Sequence, residues 1–321
     1  MQIQNNSFQE IQKPKETLDM LKVMALKKFK QAIRNNDYGD YFKFINRNAK
    51  QGVVFGEFSS PYLKELNSDH FSYKVVEPSR EVVNKIKEQS INVFSVKTIE
   101  RSSGFESPSV VALFPEMFVG NNVVKSTDPV FYFIDKFYLR HKEHTQKIIK
   151  LSASRNYFKE LKSLKLEDFS NWVHLHEYFH RQGSMPIPEF LYEKSSSIGA
   201  AFEELRVDLK VMEYCLSQKK LYKTFLLVLS ERMFLYPVIR KKGSFDSIAS
   251  LFIYSKLINV SNDSDMLNKL RQLIVFFEGI ENKISKLSSR VDRREKLIEE
   301  ITPLFNVEEN DFFTFNKKEL I

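Results

Sequence analysis

Cysteine is almost absent from this chain. Cys215 is the single thiol in 321 residues, so no intrachain disulfide can staple the fold, and the composition points to a reducing compartment, the cytoplasm. Cys215 lies on an apolar helical stripe, which reads as a buried, inert thiol rather than a nucleophile. Glycine is scarce too, with 9 residues beside 10 prolines and 1 tryptophan, which argues against a glycine-punctuated barrel and for helices. No long apolar run is present: the most apolar stretch, residues 221–239, is interrupted by Lys223, Glu231, Arg232 and Pro237 and makes a poor membrane span. Residues 1–15 are polar and hold no signal-peptide core. No membrane partner is therefore expected.

What is abundant is phenylalanine, 29 residues, in a chain that is 42% hydrophobic and 28% charged, the texture of a globular protein with large core side chains. Lysine and arginine (49) exceed aspartate and glutamate (41) by eight. The excess is scattered among acids, as in Arg290-Val291-Asp292-Arg293-Arg294-Glu295-Lys296, and reads as solvated faces; no nucleic-acid partner is expected.

Along the chain, residues 1–14 read as a loosely attached tail. From Pro14, Leu18, Leu21, Met24, Ala25, Phe29 and Ile33 recur at helical spacing. Valine- and phenylalanine-rich runs at 53–55, 71–76, 91–99, 109–114 and 130–133 predict strands, with a short helix at 79–89. Beyond residue 135 the pattern is helical: 137–152, 154–164, a helix with Ser170 as N-cap and Gly183 at its end, then 197–218, 220–236 and 245–258. Over 265–301, Leu270, Leu273, Phe277, Ile280, Ile284, Leu287 and Val291 keep a heptad spacing, which predicts one long helix paired with another, in the chain or in a homo-oligomer; Pro303 ends it, before a short amphipathic tail. The expected fold class is α+β, a small α/β section followed by a predominantly helical zincin-like catalytic region, divided as 1–49 (tail and helix), 50–135 (α/β subdomain) and 136–321 (helical metal-binding catalytic domain).

Residues 176–180 read His176-Glu177-Tyr178-Phe179-His180. Two histidines four apart share a helix face and can reach one metal, and the glutamate beside the first can take a proton from metal-bound water. A third ligand is expected downstream. Glu204 and Asp208, four apart, border the apolar face of the 197–218 helix, where two carboxylates would repel unless a cation joined them. Glu204 is the expected ligand, with Glu203 as its competitor, and Asp208 the expected acceptor for the distal N–H of a ligand histidine. His174 points elsewhere and reads as structural. Arg206 reads as facing away from both carboxylates, with anchoring of a substrate carboxylate as its alternative. His141 and His144 read as a solvated face. Tyr236 and Arg240, with Tyr192 behind them, are candidates for stabilising an oxyanion.

Over residues 174–208 this constellation resembles the gluzincin zinc metallopeptidases. Glu204 and Asp208 match the Glu-x-x-x-Asp helix of the thermolysin type, and Glu203-Glu204-Leu205-Arg206-Val207-Asp208 is similar to the Glu-Glu-x-Arg-x-Glu run of dipeptidyl peptidase III. The chain departs from both: the dipeptidyl peptidase has one more residue between its histidines and ends its run in glutamate, and thermolysin-type enzymes carry asparagine where Glu203 stands. The resemblance implies zinc on His176, His180 and Glu204, Glu177 as general base, and a peptide or small amide substrate. Two other readings stand beside it: a non-haem Fe2+ enzyme with two histidines and one carboxylate, acting on a small molecule, and a non-catalytic helical interaction protein.

Overall fold

A computed structural model describes the chain apart from residues 1–17, 36, 48–49, 57, 60–61, 64–68, 88, 90–91, 107–108, 113–128, 152–155, 242 and 306–321. The expected tails at 1–14 and beyond Pro303, and the end of the strand expected at 109–114, lie outside the described residues. As expected, a mixed α/β region precedes a mostly helical one.

Helices α1 (Leu18–Asn35) and α2 (Gly39–Arg47) lead into β1 (Gln51–Phe55), β2 (Phe58–Ser59), β3 (Tyr62–Leu63) and β4 (His70–Val75). After α3 (Arg80–Ile86) come β5 (Val93–Arg101), β6 (Val110–Ala112) and β7 (Val130–Phe133). The seven strands form one sheet in the order β1-β4-β5-β7-β6-β3-β2. Because side chains alternate along a strand, β5, β6 and β7 divide their residues between two cores. Phe94, Val96, Phe131 and Phe133 join the buried face of α1 (Leu21, Ala25, Phe29, Ala32) on one side. There Phe71 takes the rings of Phe105, Phe131 and Phe133 edge-on at 5.0, 5.3 and 4.9 Å, pairs that each add about 0.5–1.5 kcal/mol beyond their burial. Val93 and Tyr132 face the other way, against the helical core.

That core is built from α4 (Ile134–Leu151), α5 (Leu166–His180), α6 (Leu191–Lys194), α7 (Ser197–Ser217), α8 (Tyr222–Ser230), α9 (Tyr236–Ile239), α10 (Phe245–Leu257), α11 (Asp263–Ser285) and α12 (Arg290–Ile301). Helix α7 lies at its centre, packed by α5, α8, α10 and α11, and is buried on nearly every side. Among the described residues no helix is long and apolar enough to cross a membrane.

Several helix boundaries differ from expectation, each for a local reason. Helix α5 starts at Leu166, where the Lys165 N–H donates to Asp168 Oδ2 at 2.8 Å. Ser170 is therefore inside the helix. Its hydroxyl donates to Val76 O at 2.7 Å and lies 2.6 Å from the Ser95 hydroxyl, so it ties α5 to the sheet. The segment Asn156–Ser163 is a 3₁₀ helix. The helix expected at 220–236 is interrupted by a π-helical turn, Glu231–Leu235, between α8 and α9. The long helix expected at 265–301 breaks after Ser285 and restarts at Arg290, where the Ser289 hydroxyl accepts from Asp292 N at 3.3 Å. Its apolar stripe ends with the break: Leu270, Leu273, Phe277 and Ile284 are buried, whereas Leu287 and Val291 are exposed. Helix α11 packs against α7 of the same chain, the in-chain alternative of the expected helix pairing.

Candidate metal centre

Helix α5 is pinned before it reaches the site. Besides Ser170, the Asn171 side-chain oxygen accepts from Ser79 N at 2.7 Å, and its amide donates to Thr224 at 3.3 Å. Fixed in this way, α5 turns His176 and His180 toward α7. Their Nε2 atoms lie 3.0 Å apart with the rings nearly perpendicular. Glu204 arrives from α7, with Oε2 3.4 Å from His176 Nε2 and Oε1 3.7 Å from His180 Nε2. One donor atom from each residue fits within 4.8 Å of the others. This is a His/His/Glu site able to coordinate a divalent metal.

The outer nitrogens of both rings are held by carboxylates. His176 Nδ1 lies 2.9 Å from Asp208 Oδ1, which also accepts from Trp172 Nε1 at 3.1 Å. His180 Nδ1 lies 2.8 Å from Glu203 Oε1. With the Nδ1 protons given to Asp208 and Glu203, the Nε2 atoms would be left for a shared metal. Asp208 is in turn paired with Arg232, whose guanidinium also reaches Glu204 Oε2 at 3.1 Å and Asp246 Oδ1 at 2.8 Å. Glu203 belongs to a second buried set: Lys194 Nζ is 2.5 Å from its Oε2 and 2.6 Å from Glu281 Oε1, and Arg206 donates to it at 2.7 and 2.9 Å and lies 3.1 Å from Glu281.

Several carboxylates crowd His176: Glu204 and Asp208 approach it directly, and both lean on the one guanidinium of Arg232, which also serves Asp246. The crowding acts on the imidazole. Burial lowers the affinity of His176 for a proton, but Glu204, Asp208 and Glu177 together raise its pKa to about 9. Burial would raise the Asp208 carboxyl, yet Arg232 and His176 hold it well below its usual range. Glu203 is kept ionised against its burial by Lys194 and Arg206.

Glu177 projects beside this cluster, and its Oε1 accepts from the hydroxyl of Tyr132 on β7. Burial, reinforced by Glu177, pushes the Tyr132 phenol well above its ordinary value, so it stays a donor; Glu177 is held lowered, against burial, by His180 and His176. Tyr236 is buried, its ring 5.3, 4.7 and 4.7 Å from the guanidinium carbons of Arg140, Arg232 and Arg240. Arg240 lies 3.2 Å from Asp246 and connects to the triad indirectly, through Asp246 and Tyr236 to Arg232. Tyr192 is outside the cluster, between Arg290 and Arg294. His174 is buried on a different side, its Nδ1 2.9 Å from Ser170 O. His141 is not on a solvated face: it is 2% exposed, with Nδ1 2.8 Å from Glu231 Oε1. Arg206 is fully buried against Glu203 and Glu281 and cannot anchor a substrate.

No family profile, curated protein or solved structure matches this chain.

The gluzincin expectation is corrected by this geometry, and with it the zincin-like label, the zinc peptidase activity and the peptide substrate. The donor set is a 2-His-1-carboxylate triad. Two nitrogens about 2.1 Å from one ion stand roughly 3.0 Å apart at a right angle and roughly 3.4 Å apart in a tetrahedron. The 3.0 Å between the imidazoles is the right-angle value, which fits one face of an octahedron as in non-haem iron centres; the carboxylate oxygens stand slightly further out. Nor, among the described residues, does the sheet offer a peptide an edge at the site. Tyr132 lies on β7, between β5 and β6, with Ser95 and Val110 as its ladder partners, so its backbone groups face occupied strands. The donor side chains are only 10, 11 and 21% exposed, an opening suited to a small molecule.

Tyr132, Arg232 and Lys194 were not legible as site residues, and Glu203 was weighed only as a rival ligand. A signal existed for two of them. Arg232 is a charge inside the most apolar stretch of the chain, and Glu203 is one of two adjacent acids on a buried helix. Both arrangements need a buried partner. For Tyr132 no local signal exists.

Proposed function

We propose that this chain is a non-haem iron enzyme that modifies a small molecule, with His176, His180 and Glu204 as the ligands of one Fe2+. The right-angle imidazole pair beside a single carboxylate, nearly closed to solvent, carries this reading. Bound there, ferrous iron supplies redox chemistry toward dioxygen at positions the three protein donors leave free. Asp208 and Glu203 orient the two imidazoles through Nδ1 and raise their basicity as ligands. Glu177, beside the triad, is a carboxylate able to accept a proton from substrate, and Tyr132 fixes its orientation from the sheet. Tyr236 forms a wall beneath Arg232, and Arg240 holds Asp246 in place. The lone buried thiol Cys215 and the absence of a membrane-crossing helix among the described residues support placing the enzyme in the cytoplasm.

The test is anaerobic loading of untagged protein with Fe2+, then addition of nitric oxide. About one iron per chain and the high-spin ferrous nitrosyl resonance are expected, both lost in His176→Ala. Retention of Zn2+ alone, with no iron bound and no nitrosyl signal under excess Fe2+, would sink the reading.

A further inference from the structure

A single guanidinium serves three carboxylates beside the triad. Arg232 is 2% exposed. Its Nε donates to Asp208 Oδ2, Nη1 reaches Asp246 Oδ1 at 2.8 Å, and Nη2 reaches Glu204 Oε2 at 3.1 Å. The π turn is what delivers it. In Glu231–Leu235 all five residues are buried, and the consecutive side chains of Glu231 and Arg232 both find charged partners, Glu231 with Arg140 and His141, and Arg232 with the three acids. Single π turns inside helices are rare and concentrate at functional sites.

The two oxygens of Glu204 are therefore not equivalent. Each faces an imidazole nitrogen, Oε2 at 3.4 Å from His176 Nε2 and Oε1 at 3.7 Å from His180 Nε2, but Oε2 is also engaged by the permanently charged Arg232, which weakens it as a metal ligand. We propose that Arg232 is a positioning residue that restricts Glu204 to one-oxygen ligation of the metal, and so preserves the third open coordination position. The inference rests on the iron reading: an octahedral ion with three single-atom donors keeps three positions for dioxygen and substrate, whereas a two-oxygen carboxylate would take one of them. The guanidinium also holds Asp208, which holds His176, so two of the three ligands are located from one group. Asp246 stops the guanidinium from rotating off Glu204, and Arg240 pairs with the other oxygen of Asp246. A lysine could not replace this, since a single ammonium has no planar fork to span three acceptors.

The number of open positions can be counted without any turnover. Mn2+ favours six oxygen or nitrogen donors, and water-proton relaxation of the Mn2+-saturated protein reports how many waters it holds. In Arg232→Lys the carboxylate swings to two-oxygen ligation, and at Mn2+ saturation the inner-sphere relaxivity falls by about one third relative to wild type, alongside the ~10–100-fold loss of Mn2+ affinity typical of lost ligand support. Asp246→Asn, which touches no ligand, shifts relaxivity in the same direction by less. Wild-type relaxivity in a folded, Mn2+-saturated Arg232→Lys protein overturns the proposal. If Arg232→Lys does not fold, wild-type relaxivity in Asp246→Asn overturns it instead. A relaxivity drop in protein that gives no ferrous nitrosyl signal would sink the iron reading alone.

Discussion

Glu203 carries two loads that a pair of variants can separate. It accepts from His180 Nδ1, and it is one of two acids that balance Lys194 and Arg206 in a set where every side chain is at most 3% exposed. Glu203→Gln keeps the shape but leaves two cations facing Glu281 alone. Removing one partner of a buried ion pair costs about 3–5 kcal/mol, and at roughly 2 °C per kcal/mol for a chain of this size the melting temperature of metal-free protein should fall by about 6–10 °C. Metal affinity should fall about 10–100-fold, because the His180 ring loses its carboxylate. The double variant Glu203→Gln/Lys194→Met restores neutrality, with Arg206 facing Glu281. At least half of the lost melting temperature should return, while metal affinity stays low. Circular-dichroism melts of metal-free protein and competitive Co2+ titrations measure the two loads. Recovery of both in the double variant would mean that Glu203 acts on the metal only through stability, and a melting temperature unchanged in the single variant would refute the charge-balance argument itself.

Three further outcomes follow from the same geometry. The pKa of His176 is raised in the folded, metal-free protein from 6.5 to about 9, so its charged form stabilises the fold fully below pH 6.5, and that stability is lost as pH rises through about 9; urea titrations across this range should show the loss in metal-free protein and a flatter profile once metal replaces the proton. Gly183→Ala should destabilise the protein by about 1–3 kcal/mol, since Gly183 has φ +103° and an added Cβ would stand 2.7 Å from Glu281 Oε2; denaturant melts check it. Tyr132→Phe should leave metal stoichiometry unchanged in elemental analysis and lower turnover about tenfold or more, since Glu177 loses its orienting donor.

What the sequence made legible follows from which constraints are local. The helical face of His176 and His180 is set by four-residue spacing, and the acids of α7 stood out because carboxylates on an apolar face need a cation. The strands at 53–55, 71–76 and 130–133 announced themselves by valine and phenylalanine. Other features depended on partners remote in the chain. Ser170 looked like a helix cap because serine favours that position; that it binds Val76 and Ser95 instead is decided by how α5 lies on the sheet. The heptad at 265–301 was read through Ser288 and Ser289 because apolar spacing alone does not register a cap. Arg206 was expected to face away because, with α7 read as amphipathic, two positions along from a carboxylate meant the other side; α7 has almost no outside. The HExxH spacing fixed two donors but not the angle between them, which depends on both ring orientations and hence on Asp208 and Glu203.

The π turn at Glu231–Leu235 makes the chain vulnerable to a change no substitution imitates. A π turn accommodates one residue more than the α-helix around it, so deleting one of these five would let the segment close into continuous α-helix, with the flanking turns keeping their faces and the side chains inside the turn redistributed about the axis. Glu231 and Arg232 could then no longer both meet their partners. Insertions and deletions are usually tolerated in loops and damaging in helices through lost core packing; here the damage would be electrostatic, stranding Asp208 and Asp246 without their cation. The reading frame of this one turn, more than the identity of any apolar residue in it, is what the site depends on.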